Sequence, residues 1–248
     1  MRGRKPLRSL SDVADAAVKV FTDRGFRSAG ISDVSAAMGL SHGALYTYVD
    51  SKRALLYLAL LRVIRPDTVN ALRLPVTAPP PEEIVELLKA WAVEQASSPV
   101  LEASSGPGAR LDDQDLGAIV DALYGFIERH RQALQLIARC AGDLPELAQW
   151  YYVQRRRTMV AQIREYLARE IRSGRMRPVP DLQAAARFIV ETIAWFAMHR
   201  HGDPDSAMLG DDACRHTVRH LLLAAFLTSP PAAAGTTAGE TDTATPAS

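Results

Sequence analysis

Apolar residues recur every three to four positions along most of the chain, the spacing that places them on one side of an α-helix. The first such run begins near Ser9 or Ser11 and ends at Gly25. From Glu82 onward we find helical patterns only. They predict helices at approximately 82–97, 115–140 (allowing a break near His130), 145–173, 182–200 and 211–228. The pattern therefore predicts an all-α protein.

The stretch from Ile31 to Lys52 predicts a short helix, a tight turn, a second short helix and the start of a third. Ser32 is placed to open the first helix, and Gly39 stands where a left-handed residue would end it. Ser41 then caps the second helix. Two short helices held at a fixed angle by a glycine turn form a helix-turn-helix, whose second helix lies in the major groove of DNA.

The second of these helices, predicted from His42 to Val49, carries a surface unlike that of a core helix. Gly43 and Ala44 leave almost no side chain at its start, so its backbone can approach base edges closely. The alternative is an ordinary small helical core with solvated charges. The DNA contacts that we predict are Ser32, Ser41, His42, Gly43, Ala44, Tyr46, Thr47, Tyr48 and Lys52.

The same stretch follows a recognisable order of residue types. The matching positions are Val34, Ser35, Met38, Gly39, Leu40, Ser41, Gly43, Tyr46, Tyr48, Val49, Ser51, Lys52 and Leu55. In this order residues 10 to 58 resemble the N-terminal signature of the TetR (tetracycline-repressor-like) family of transcriptional regulators. Ser35 replaces the usual Ala, Val49 the usual Phe, and Gly30 stands where a Thr often contacts a phosphate. The resemblance implies a three-helix DNA-binding domain followed by a helical domain that binds an effector and dimerises.

Positive charge is concentrated near the start of the chain. Residues 1 to 53 contain nine Lys and Arg against five Asp and Glu, whereas the remainder contains 20 against 23. A basic excess beside a predicted DNA reader fits binding to phosphates. An N-terminal arm formed by Arg2, Arg4, Lys5 and Arg8 either reaches the minor groove or phosphates, or serves as a disordered solubilising tail.

We divide the chain into a DNA-binding domain with its basic arm at 1–53, a helical effector-binding and dimerisation domain at 54–228, and a disordered tail at 229–248. A helix from Lys52 towards Ile64 connects the first two, and Leu74–Pro81 breaks the helical periodicity. The two cysteines are too few for a disulfide framework, and no apolar run approaches the roughly 20 residues of a membrane span. We therefore expect a cytoplasmic protein.

Aromatic residues cluster in the second domain. Core packing explains any one of them, but the resemblance implies a cavity for an effector, which we expect to be small and mostly apolar. The lining residues that we predict are Trp91, Tyr124, Trp150, Tyr151 and Trp195. The run Arg155–Arg157 is interpreted as a solvated helix face, with an anionic ligand headgroup as the alternative.

A metal site among the late histidines is disfavoured. His216 and His220 share a helix face, but the spacing with Cys214 fits no standard metal site. We therefore expect no metal and no cofactor.

The last two helices are apolar on more than one side, which indicates that each buries two faces. The resemblance implies that they pair with their symmetry mates as a four-helix dimer interface. The interface residues that we predict are Ile189, Ile193, Phe196, Leu221, Leu222 and Phe226.

These features together predict a homodimeric, ligand-responsive DNA-binding regulator, most often a repressor in such a family, which an effector releases from its operator by displacing the connecting helix. The alternative is an all-helical enzyme that uses the aromatic pocket, although HExxH, GxSxG, P-loop and CxxC motifs are absent. A DNA architectural protein without a sensor is disfavoured by the long helical half after Pro81.

Overall fold

The computed structural model describes residues 8–96 and 115–228, and in these ranges the chain is helical, with two isolated β-bridges in place of strands. The α-helices are α1 (Leu10–Ser28), α2 (Ile31–Met38), α3 (His42–Leu45), α4 (Lys52–Ile64), α5 (Pro81–Glu94), α6 (Leu116–Arg129), α7 (Arg131–Ala141), α8 (Pro145–Ala148), α9 (Arg157–Arg172), α10 (Leu182–Ala197) and α11 (Asp211–Phe226). Short 3₁₀-helices lie at Pro66–Ala71 and His199–Gly202, and a π-helix at Gln149–Arg156 joins α8 to α9. The predicted all-α fold is confirmed.

Side-chain caps fix where several helices begin. The hydroxyl of Ser9 accepts a hydrogen bond from the Asp12 N–H at 3.1 Å, and the Asp12 carboxylate accepts one from the Ser9 N–H at 2.9 Å. This reciprocal pair satisfies two donors that the first turn of a helix leaves free. Ser51 caps α4 and Asp115 caps α6 by a single bond each: their side chains accept the N–H of Ala54 at 3.1 Å and of Ala118 at 2.6 Å.

The buried apolar residues form two clusters. The first contains α1 to α5 together with α7, and the second contains α6, α9, α10 and α11. The first cluster does not stop at residue 53, because Leu58 of α4 and Val76 after it are buried in it. Val76 also pairs with the segment after α3, donating its N–H to the Tyr48 carbonyl at 2.7 Å. The division into domains at residue 53 stays a prediction.

The predicted helices agree with the structure within a few residues, and the break near His130 separates α6 from α7. Two details differ. The second helix of the helix-turn-helix is one turn, His42–Leu45, and the chain continues to Val49 in turns. The π-helix was not predicted.

Some predictions fall outside the described residues. These are the basic arm at Arg2, Arg4 and Lys5 and the disordered tail at 229–248. Within the described part of the chain, no helix combines the length and the hydropathy that a membrane crossing requires.

Candidate DNA-binding surface and effector cavity

The turn between α2 and α3 has the geometry that its sequence predicts. Gly39 ends α2 with φ 64°, a left-handed conformation that side chains disfavour. The next residue, Leu40, donates its N–H to the Ser35 carbonyl at 2.8 Å, which closes the end of the helix. Ser41 then caps α3, accepting a hydrogen bond from the Ala44 N–H at 3.2 Å. Leu45 of α3 is fully buried, so α3 is anchored by its inner side.

Most of the predicted DNA-contact residues lie on one accessible surface. Tyr46 is 44% exposed, and its ring meets that of His42 edge-on at 5.3 Å between centroids. Thr47 is exposed and donates its hydroxyl to the Ala44 carbonyl at 2.8 Å. Ser32, Ser41, His42 and Gly43 are exposed, while Ala44 is half-buried. We call Ser32, Ser41, His42, Gly43, Tyr46 and Thr47 the reader surface.

Tyr48 does not belong to the reader surface, and its prediction as a DNA contact is wrong. It is only 8% exposed, packs in the first core, and donates its hydroxyl to the Arg8 carbonyl at 3.0 Å. The prediction extended the helix to Val49, whereas the helix ends at Leu45 and the turns that follow bring Tyr48 into the core.

Lys52 lies at the start of α4 but is already engaged within the protein. Its ammonium donates to the Arg27 carbonyl at 3.1 Å and lies 4.7 Å from the centre of the Phe26 ring. Lys52 therefore joins α4 to the end of α1.

A cavity of about 200 Å³ lies in the second half of the chain, at the junction of α6, α7, α9 and α10 with the π-helix. Its walls are mostly apolar and combine aliphatic, aromatic and thioether side chains. The lining residues are Leu123, Phe126, Ile127, Leu134, Ala138, Tyr151, Tyr152, Arg155, Arg156, Met159, Val190, Glu191, Ala194, Met198 and His199.

Of the five predicted pocket residues, Tyr151 alone lines this cavity. Trp91 stands behind the wall, with its ring 6.4 Å from that of Phe126, and Trp150 is buried in the first core. Tyr124 is fully buried, and Trp195 is 38% exposed on the outside of α10. An aromatic residue type does not tell whether a side chain lines the cavity or packs in the core, because aromatic rings occur in both places.

The charged residues of the cavity were not among the lining residues predicted from the sequence, although an anionic ligand headgroup beside Arg155–Arg157 was the alternative interpretation of that run. Arg156 forms an ion pair with Glu191 of α10, and Arg187 joins the same carboxylate at 3.3 Å. The Nη2 atom of Arg155 is buried and has no hydrogen-bond partner among the described residues. Burial lowers the pKa of the Arg155 guanidinium and raises that of the Tyr151 phenol. Of the run Arg155–Arg157, only Arg157 is exposed, so the interpretation as a solvated face is wrong for the other two.

Tyr151, Tyr152, Arg155 and Arg156 all lie on the π-helix and line the cavity together. Residues four apart share one face of a helix, so each tyrosine lies beside an arginine. The signal available in the sequence was the pairing of two tyrosines with two arginines four residues later. That these four side chains face a cavity depends on packing against α6, α7 and α10, which the sequence pattern did not reveal.

Helix α7 lines the cavity and also packs on the DNA-binding end of the chain. Its residue Ala138 lines the cavity and accepts a hydrogen bond from Tyr152 at 3.0 Å. One residue further, Arg139 donates to the Asp23 carbonyl of α1 at 3.3 Å. Asp143, just after α7, accepts the backbone N–H of Arg27 at 2.7 Å. A shift of α7 at the cavity would therefore reach α1 directly.

Four of the six predicted dimer residues are buried in the chain's own core, which corrects that prediction. Ile189, Ile193, Leu222 and Phe226 all belong to the second cluster and cannot meet a partner in this structure. Phe196 is half-buried, and Leu221 is 60% exposed. The exposed apolar side chains of these helices are Phe188 at 56%, Trp195 and Leu221. The periodicity identified two apolar sides but not which side faces inward.

The late histidines do not assemble a site in the described part of the chain. His216 and His220 are exposed on α11, whereas Cys214 is buried. No group of three or more His, Cys, Asp or Glu side chains suited to a metal ion occurs among the described residues.

The helix-turn-helix region matches a known family. Residues 13–57 match the model of "Bacterial regulatory proteins, tetR family". No curated protein sequence matches the chain.

The chain is similar to solved structures of TetR-family regulators. SCO3833 from Streptomyces coelicolor A3 is 18% identical and has a TM-score of 0.50, the alignment covering 90% of this chain and 94% of that one. PfmR from Thermus thermophilus is 22% identical, covers 86% and 97% of the two chains, and has a TM-score of 0.41. The ketosteroid regulator KstR2 of Mycobacterium tuberculosis is 16% identical, covers 89% and 93%, and has a TM-score of 0.45.

An all-helical enzyme, the alternative interpretation, is not favoured, because the matched family consists of DNA-binding regulators. The family model covers the same helices that form the reader surface and its supports, α1 to α4. Residues 13–57 place the DNA-binding region of this protein in the TetR family of bacterial regulatory proteins, and the protein is a DNA-binding transcriptional regulator.

Proposed function

We propose that the protein is a homodimeric cytoplasmic repressor, released from its operator when a small, mostly apolar effector enters the cavity between α6, α7, α9, α10 and the π-helix. The observation that carries this proposal is the double role of α7. Its residues Leu134 and Ala138 line the cavity, while Arg139 and the following Asp143 hold α1.

The reader surface is proposed to bind the operator. His42 and Thr47 are the candidates for base contacts, because both are exposed and carry polar groups. The Thr47 hydroxyl gives its proton to Ala44 but can still accept a hydrogen bond. Ser32, Ser41 and Tyr46 are proposed to contact phosphates, and Gly43 allows close approach of the backbone. Lys52 is proposed to reach a phosphate only if it exchanges its contact with Arg27.

A second copy of the chain is proposed to cover the exposed apolar face of α10 and α11. Phe188 and Trp195 are seven residues apart, two turns along one side of α10, and Leu221 of α11 is exposed as well. A two-fold dimer presents its two reader helices to successive major grooves, about 34–36 Å apart on DNA. One turn of α3 makes few contacts by itself, so two readers acting together are needed for useful affinity.

Release is proposed to follow a shift of α7. The sequence analysis predicted that the effector displaces α4. In the structure α4 is joined to α1 by a two-pronged ion pair between Arg62 and Asp15, at 2.8 and 3.2 Å. The effector cavity touches α7 rather than α4. An effector that moves α7 therefore moves α1 and α4 together, which changes the spacing of the two readers and weakens operator binding.

The DNA-binding part of the proposal is tested by selecting duplexes from a random library with the purified protein. We expect an inverted repeat, two subunits per duplex, and a logarithmic fall of affinity with salt of slope about −0.9 for each phosphate neutralised. Selected duplexes without an inverted repeat, or one subunit per duplex, would contradict it.

The effector part is tested by comparing the protein with Ala194→Phe, which fills the cavity from α10. Compounds that raise the melting temperature of the wild type but not of Ala194→Phe bind in the cavity. Each is then added to the operator complex, and we expect fluorescence anisotropy to show release. If every such compound leaves operator affinity unchanged, the cavity is not a regulatory site.

A further inference from the structure

The cavity contains one positive charge that nothing in the described protein neutralises. The guanidinium of Arg155 lines the cavity, and its Nη2 atom is buried without a hydrogen-bond partner. No ion pair joins Arg155 to an acidic side chain of residues 8–96 and 115–228. A guanidinium nitrogen that is withdrawn from water is normally hydrogen-bonded or paired, because an unpaired charge there is unfavourable.

The one acidic side chain in the cavity lining, Glu191, is already paired with other arginines. Glu191 accepts from Arg156 and lies 3.3 Å from Arg187, so two cations share one carboxylate. Among the charged side chains that line the cavity, two arginines, Arg155 and Arg156, face one glutamate. The local charge is positive, and the surplus lies with Arg155.

The surroundings of Arg155 compensate its charge only in part. The Phe126 ring, also part of the wall, lies with its centroid 5.5 Å from the guanidinium carbon. Such a cation–π contact provides no hydrogen-bond acceptor in the plane of the guanidinium, whereas a paired carboxylate would. Burial also lowers the pKa of Arg155, because the guanidinium loses contact with water without gaining a negative partner. A bound anion would supply that partner.

The remaining walls select an apolar body of limited size. Leu123, Ile127, Leu134, Met159 and Val190 supply aliphatic and thioether surface. The cavity volume of about 200 Å³ limits this body to a small molecule. The one unpaired cation of the lining, Arg155, suits a ligand with one negative charge.

We infer that the effector is a small amphipathic carboxylate whose carboxylate group pairs with Arg155 and whose apolar body fills the cavity against Leu134, Met159 and Val190. This inference rests on the proposed role of the cavity. The planar fork of a guanidinium donates two parallel hydrogen bonds to a carboxylate, which an alcohol or ester cannot accept equally.

The test measures binding to the free protein by calorimetry at pH 7, without DNA. Sodium hexanoate, sodium octanoate and sodium phenylacetate are compared with 1-hexanol, 1-octanol and 2-phenylethanol, and sodium acetate tests the anion without a body. We expect each of the three larger acids to bind at least about tenfold more tightly than its alcohol, since hydrogen bonds to charged groups contribute more than neutral ones. Acetate should bind more weakly than all three.

Variants assign the effect to Arg155. Arg155→Met keeps the length of the side chain and should abolish the preference for acids over alcohols, while Arg155→Lys should retain part of it. Arg157→Met, which removes an exposed arginine two residues away, is the matched control and should behave as the wild type. Circular dichroism melting checks that each variant is folded.

The outcomes separate this inference from the proposed function. Equal affinity for acids and alcohols, failure of all acids to bind, or an unchanged preference in Arg155→Met would overturn it, even if alcohols release the operator. Acids that bind through Arg155 but leave operator affinity unchanged would support the carboxylate site and contradict the proposed regulation.

Discussion

The carboxylate of Asp143 accepts a hydrogen bond from the backbone N–H of Arg27 across 2.7 Å, although the two residues are 116 positions apart. The first lies just after α7 and the second in the last turn of α1. Gly25 makes this approach possible. It has φ 77°, and a Cβ atom there would lie 3.1 Å from an oxygen of Asp143. The junction is therefore a close contact between the sensor half and the DNA-binding half.

Removing this contact should weaken the coupling between effector and operator. In Asp143→Ala we expect the effector-induced change in operator affinity to fall by roughly 2- to 30-fold, corresponding to about 0.5–2 kcal/mol of coupling energy. Fluorescence anisotropy with and without effector measures this change. Glu146→Ala, an exposed acid three residues further on, is the control. An undiminished response in Asp143→Ala would place the coupling elsewhere.

The two tyrosines after α3 should respond differently to substitution. Tyr46 lies on the reader surface, so Tyr46→Ala should lower operator affinity by about tenfold, a loss of roughly 1.4 kcal/mol, while leaving the dimer intact. Tyr48→Phe removes only the hydroxyl that donates to Arg8 and should cost about 1 kcal/mol of stability without changing affinity. Gel shifts and thermal melts separate the two effects. A loss of operator affinity in Tyr48→Phe as large as that in Tyr46→Ala would show that Tyr48 contacts DNA after all.

A charge on the exposed face of α10 and α11 should dissociate the dimer. In the double variant Phe188→Glu and Leu221→Glu, association would bury two unpaired carboxylates per subunit, so we expect monomers in sedimentation velocity and at least a hundredfold loss of operator affinity. The control is Met208→Glu, which places the same charge on an exposed apolar residue outside both helices. Dimers that persist in the double variant would show that another face joins the subunits.

His130 should make the protein less stable in mild acid. Its ring packs against those of Trp91 and Phe126, with centroids at 5.2 and 4.9 Å, and its Nε2 atom has no hydrogen-bond partner among the described residues. Burial, reinforced by Arg129 and Arg155, lowers the pKa of His130. The unfolded chain therefore binds the proton more tightly, so this contribution to stability is complete above a pH of about 6.5 and is lost as the pH falls below it.

Calorimetric melting of His130→Leu between pH 7.5 and 5.5 checks this sign. We expect the melting temperature of the variant to fall less over this range than that of the wild type. His220→Gln, which removes an exposed histidine on α11, should keep the wild-type dependence. Parallel curves for wild type and His130→Leu would rule out His130 as the group responsible.

The sequence alone determined the helices and the helix-turn-helix. Caps such as Ser9 and Ser41 and the left-handed Gly39 act within a few residues, so their effects are readable without knowing the rest of the fold. The family match at residues 13–57 rests on the same local signals. The accessible reader residues, from His42 to Thr47, follow from them as well.

Only the tertiary structure decided which side of each helix faces inward and what lines the cavity. Ile189 and Phe188 are neighbours of similar hydropathy, yet one is buried and the other exposed, because α10 packs on the core by one side only. Tyr48 and Arg155 differ from their predicted roles because packing between distant elements buries Tyr48 in the first core and places Arg155 in the cavity wall. Periodicity records that a helix has apolar sides, but contacts between residues distant in sequence determine what each side meets.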